Sequence, residues 1–152
     1  MKIKQIIAMA IGLTALAGCS SAPEALNFEL FNRDQVTADR MPEYGVTGPK
    51  PTVDSTSSRL LADRNDIRYF AARTSEDPEK SVCLFAYAKD DQSVGACGAY
   101  SKEGTNGPNV SNFGIEAKLL LDGTDTASLE AEGWTVAHPN LVVRAQPGVQ
   151  PK

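Results

Sequence analysis

Residues 81–89 and 93–100 constrain the fold of this chain more than any other stretch. Both are short runs of aromatic and small apolar residues, and they flank the acidic turn Lys89-Asp90-Asp91-Gln92, the pattern of a β-hairpin. Leu60 and Leu61, then Ile67, Tyr69, Phe70 and Ala71, fit two strands joined by Asp63-Arg64-Asn65-Asp66, or one helix capped by Ser57 or Ser58. The Asn-Asp turn chemistry and the aromatics favour strands. Phe113, Ile115, Ala117, Leu119 and Leu121 alternate with Gly114, Glu116, Lys118 and Leu120, as in a half-buried strand whose charged members point to water. Asp122-Gly123 ends it.

Residues 126–132 suit a two-turn helix capped by Asp125 or Thr126 and stopped by Gly133. Two last strands, 134–137 and 141–145, are separated by His138-Pro139-Asn140, and 101–112 is a loop by composition. The fold class expected is mainly β or α+β: a small antiparallel sheet domain with one or two short helices. Its core is expected around Leu60, Ile67, Leu84, Val94, Ile115, Leu119, Trp134 and Val142. The globular domain is placed at 55–145, with 146–152 as a disordered tail.

The N-terminus fixes the compartment. Lys2 and Lys4 form a basic start, Ile6 to Ala17 is an apolar run of 12 residues, and Leu16-Ala17-Gly18-Cys19 follows. The run is short of the roughly 20 residues a bilayer span needs, so it reads as a removable leader. These features resemble a bacterial lipoprotein signal peptide with its lipobox. The resemblance implies cleavage after residue 18, a lipid with acyl chains such as palmitate on Cys19, and anchoring at the extracytoplasmic face of the cell membrane.

With Cys19 set aside as the lipidation site, Cys83 and Cys97 remain of the three cysteines, and export to an oxidising compartment lets them pair. If they face each other, Phe85 pairs with Gly95 and Tyr87 with Ser93. That register puts Cys83, Phe85 and Tyr87 on one face and Val82, Leu84, Ala86, Val94 and Ala96 on the other, which suits a core. Residues 19–54, with Pro23, Pro42, Pro49 and Pro51, read mainly as a lipidated tether. Phe28, Leu30, Phe31 and Val36 are too apolar for a spacer and are expected to pack back on the domain, with a short helix over 31–40.

A second resemblance spans most of the mature chain. The pattern Phe31-x-Arg33-x-Gln35-x-x-x-Asp39-x-x-Pro42, with Ser58-Arg59-Leu60-Leu61, Cys83-Leu84, Cys97 and Asn140-Leu141, is similar to one in small exported proteins of actinobacteria. It implies a membrane-anchored extracytoplasmic domain and brings no activity with it.

Composition narrows the chemistry. Without Lys2 and Lys4 the mature chain carries 13 basic against 19 acidic side chains, a formal charge of −6. Such a chain repels phosphate backbones, so nucleic acid is not an expected partner. Serine-nucleophile motifs, a phosphate loop, a dinucleotide fingerprint and calcium-loop spacing are missing, and no cofactor or metal is expected. One thiol-hydrolase arrangement can be written: Cys97, between small residues, with the lone histidine His138 and Asp122 or Asp125. A disulfide at Cys97 is the better use of that cysteine, and His138 before Pro139 reads as a turn residue. Arg59, Arg64, Arg68 and Arg73 read as a solvated face paired with Asp63, Asp66 and Glu76.

The expected function is therefore a non-enzymatic, membrane-anchored module that binds a protein or envelope component. A small-ligand carrier or sensor is the alternative, and the Cys97/His138 hydrolase comes behind it. Contact surfaces are sought in 101–112 and, if the second hairpin face is exposed, in Tyr69, Phe85, Tyr87 and Tyr100.

Overall fold

The computed structural model describes residues 28–42, 52–89, 92–100 and 107–145. The leader, Cys19, the tail 146–152, Asp90-Asp91 and 101–106 lie outside the described residues.

The described chain is mostly β, as expected, but in two antiparallel sheets. The first has the order β1 (Arg59–Arg64), β2 (Ile67–Arg73), β3 (Ser81–Ala88), β4 (Ser93–Ala99). The second contains β5 (Asn109–Asn112), β6 (Ile115–Leu119), β7 (Thr135–His138) and β8 (Leu141–Ala145), in the order β5-β6-β8-β7. One short helix, α1 (Ala127–Ala131), stands between β6 and β7. Ala127 N–H donates to Asp125 Oδ1 at 3.0 Å, and Gly133, in the left-handed region at φ 88°, lets the chain leave the helix.

Turn chemistry explains the hairpins. Asn65 and Asp66 have φ of 52° and 63°, the left-handed pair that a two-residue turn needs to follow the strand twist. Phe113 and Gly114 do the same at 56° and 73°, joining β5 to β6. Strand β5 and this turn correct the expectation that 101–112 is loop throughout and that Phe113 starts a strand. Of the four β5 residues only Val110 is apolar and buried, too little for the period-two signal to show.

The hairpin of β3 and β4 has the register derived from the sequence, with Cys83 opposite Cys97, Phe85 opposite Gly95 and Tyr87 opposite Ser93. Cys83 and Cys97 are disulfide-bonded. Val82, Leu84 and Ala86 face the core shared by the two sheets, where they meet Leu61, Ile67, Tyr69, Val110, Ala117, Leu119 and Leu141.

The core is not single. Phe70, Ala72, Cys83, Phe85 and Tyr87 form a second cluster on the outer face of the first sheet, with Met41, Val53 and Leu60 against it. Leu120, Trp134 and Val142 form a third on the second sheet. Leu60, Trp134 and Val142, expected in one core, therefore belong to the outer clusters. A register shift between Leu60 and Ala62 explains the first: the extra residue turns Leu60 outward while Leu61 points inward.

The folded unit also reaches further toward the N-terminus than 55. Phe28 and Leu30 are buried in the shared core and Phe31 packs on it, so part of the stretch expected as tether is domain. The short helix expected over 31–40 is replaced by two single 3-10 turns, Glu29–Phe31 and Thr37–Asp39, and Val36 stays exposed. Phe28 stacks edge-on with Tyr100 at 5.4 Å, and Tyr100 Oη donates to Leu119 O at 2.9 Å. Gly107 lies against that phenol, and a Cβ there would clash with the Tyr100 ring and its oxygen.

Candidate functional site

Three polar arrangements stand out. The first ties residues 33–39 to the start of β1. Arg33 makes a two-pronged ion pair with Asp39, Nη2 reaching Oδ1 at 2.7 Å. Asp39 is 1% exposed, and its carboxylate also accepts from Val36 N–H and Leu60 N–H, each at 2.9 Å. Hydrogen bonding from Arg33 holds this carboxyl well below the usual range, and the two amides add to it against the cost of burial. Ser58 Oγ donates to Asp39 O at 2.7 Å and accepts from Gln35 Nε2 at 2.8 Å. Arg59 is buried, not solvated as expected from its neighbours, and donates to the carbonyls of Arg33, Thr56 and Ser58. Arg33, Gln35, Asp39, Ser58 and Arg59 belong to the motif that carried the actinobacterial resemblance. Here they act as a latch that closes the N-terminal segment onto the sheet.

Of the other arginines expected on a solvated face, Arg64 is exposed, and Arg68 and Arg73 meet aromatic rings. Arg68 lies over the Phe70 ring at 5.6 Å and Arg73 over Phe31 at 4.9 Å, while Asp66 pairs with Lys89.

The second arrangement surrounds His138 at the turn between β7 and β8. Its Nδ1 accepts from Asn140 N–H at 3.1 Å, and Asn140 Nδ2 donates to Leu120 O at 3.1 Å and Asp122 Oδ1 at 2.6 Å. Asp122 also accepts from Glu29 N–H. Burial, helped by the positive field of Arg33 and opposed by Asp122, pushes the imidazole below its ordinary pKa. This is turn chemistry: a neutral ring accepts a backbone donor and the acid holds two other groups. Cys97, the nucleophile of the hydrolase arrangement, is bonded to Cys83 and supplies no thiolate in this state.

The third lies on the outer face of the second sheet. An open groove of about 200 Å³ is lined by Asn109, Ser111, Glu116, Lys118, Trp134 and Arg144, with Val110 and Ala117 also in its lining. Lys118 Nζ stands 4.6 Å and Arg144 Cζ 4.3 Å from the centre of the indole ring. Arg144 Nε donates to Glu116 Oε2 at 2.6 Å. Trp134 is 4% exposed, and its buried Nε1 has no hydrogen-bond partner. Strand alternation had already turned Glu116 and Lys118 outward, but Trp134 was expected in the core, and nothing local links either to Arg144.

The aromatic contact surface does not form. Tyr69, Phe85 and Tyr87 are 2%, 2% and 5% exposed, and they divide between the faces of the first sheet, Tyr69 with the shared core and the other two with the outer cluster. Desolvation drives the Tyr69 phenol up to about 12. Tyr100 is partly buried and its hydroxyl is spent on Leu119 O.

Among the described residues no group of three or more His, Cys, Asp or Glu is placed to hold a metal ion, and no helix is long and apolar enough to cross a membrane. No protein-family model matches this chain, and no curated protein or solved structure was found similar to it.

Proposed function

We propose that this chain is a lipid-anchored extracytoplasmic binding module that acts by recognition and not by catalysis. The observation that carries the reading is the disulfide between Cys83 and Cys97, which accounts for two of the three cysteines and leaves Cys19 outside that bond. A bonded hairpin cysteine pair is at home in an oxidising compartment, and the lipobox resemblance gives the third cysteine a use. The packed N-terminal segment adds a constraint on reach. Phe28 is in the core only nine positions after Cys19, so even a fully extended link spans at most roughly 30 Å. The domain would stand close to the lipid surface instead of at the end of a long tether.

The carrier alternative draws on the groove over Trp134, which at about 200 Å³ is below the roughly 300–1,000 Å³ of sites that enclose a whole drug-sized ligand. It suits an end-group of something larger.

Mass spectrometry of the protein from a bacterial membrane fraction tests the anchor, with thiol counting before and after reduction. A diacylated N-terminal peptide starting at Cys19, and two thiols that appear only on reduction, are the expected results. An unmodified Cys19, or Cys83 and Cys97 free from the start, would overturn the reading.

A further inference from the structure

We propose that the groove on the outer face of the second sheet is a binding site for a carboxylate group. The inference concerns the folded domain alone and does not depend on the anchor. Its walls are rich in donors and poor in acceptors. Lys118 and Arg144 bring two cations to one indole ring, at 4.6 and 4.3 Å from its centre. Among the described residues Lys118 Nζ has no carboxylate partner, and Arg144 spends only its Nε on Glu116. Trp134, 4% exposed, lies beneath the two cations and gives them an apolar support that holds them together at the groove. Asn109 and Ser111, exposed on β5, add side chains able to bond a neighbouring amide or hydroxyl of the ligand.

Charge selects the ligand class. Two cations less the carboxylate of Glu116 leave a single positive charge in the groove, which a carboxylate neutralises and a phosphate dianion exceeds. Arginine retains a planar edge for the carboxylate oxygens, and lysine supplies a point charge beside it. The small volume fits a terminal carboxylate and its adjoining amide, as at the end of a peptide, better than a whole small molecule.

The chain holds one tryptophan, so one indole N–H resonance reports on the site. The test is a titration of the ¹⁵N-labelled full chain with N-acetyl-alanyl-alanine, with the C-terminal amide of the same dipeptide and with inorganic phosphate. A saturable shift of the indole N–H with the free acid, and not with the amide, is expected. Arg144→Gln and Lys118→Gln should each weaken the acid by about tenfold or more, the effect of one charge-assisted hydrogen bond, while the remaining amide spectrum stays dispersed. Equal response to acid and amide, binding unchanged in both variants, or a response to phosphate alone would overturn the assignment. Should one variant lose its dispersed spectrum, the other decides the outcome.

Discussion

The outer face of the first sheet is dry and aromatic, whereas the outer face of the second carries Glu116, Lys118 and Arg144 around one covered tryptophan. The strands obey the same period-two geometry, so the contrast lies in which residues occupy each parity. From Val82 to Tyr87 both parities of β3 are apolar and every residue is buried. Such a run describes a strand covered on both sides. Strand β6 instead alternates Ala117 and Leu119, which are buried, with Glu116 and Lys118, which are half-exposed. The first sheet is thus covered over both faces, whereas the second leaves polar side chains beside a small covered cluster on its outer face.

Breaking the dry face should cost most. Phe85→Ala removes a ring that is 2% exposed, and a loss of about 3–5 kcal/mol is expected in urea unfolding. A loss below about 1 kcal/mol would mean that this face is not a core, and the contrast between the sheets would fail. The disulfide comes next. It closes a loop between cysteines 14 positions apart, so Cys83→Ala combined with Cys97→Ala should cost about 3 kcal/mol, plus the cavity at buried Cys83.

Asp39→Ala sharpens the comparison by releasing the segment whose Met41 covers part of the dry face. Leaving the Val36 and Leu60 amides without their acceptor should cost about 2–3 kcal/mol. The folded carboxyl titrates below its unfolded value, so its contribution is complete above the ordinary carboxylate pKa and is lost as pH falls through the folded one. Acid unfolding should therefore be shallower in the variant than in the parent, and parallel curves would show that Asp39 is not the linked group.

On the wet face the effects should be small. Arg144→Gln removes a partly exposed ion pair with Glu116, and about 1 kcal/mol or less of stability is expected to go with it, even as ligand binding falls. His138→Gln should change stability least at neutral pH. Because the folded imidazole titrates below its unfolded value, the parent gains stability from its neutral ring above the unfolded pKa and loses it as pH falls through the folded one. Removing the ring should flatten that part of the pH profile, measurable by thermal unfolding at a series of pH values.

Local order in the chain was enough for the hairpin of β3 and β4, its disulfide register, the Asn65-Asp66 turn, the helix stop at Gly133 and the final strand pair, because each depends on neighbours or on one covalent bond. Tertiary structure alone decided the rest. Strand β5 is too polar to announce itself and exists because β6 offers it a ladder. The latch joins Arg33 and Asp39 to Ser58 and Arg59 across about twenty residues, and the groove joins β5, β6 and β8 with Trp134. A hydrogen bond or a cation over a ring needs two groups in space, and sequence separation carries no distance until the sheets have packed.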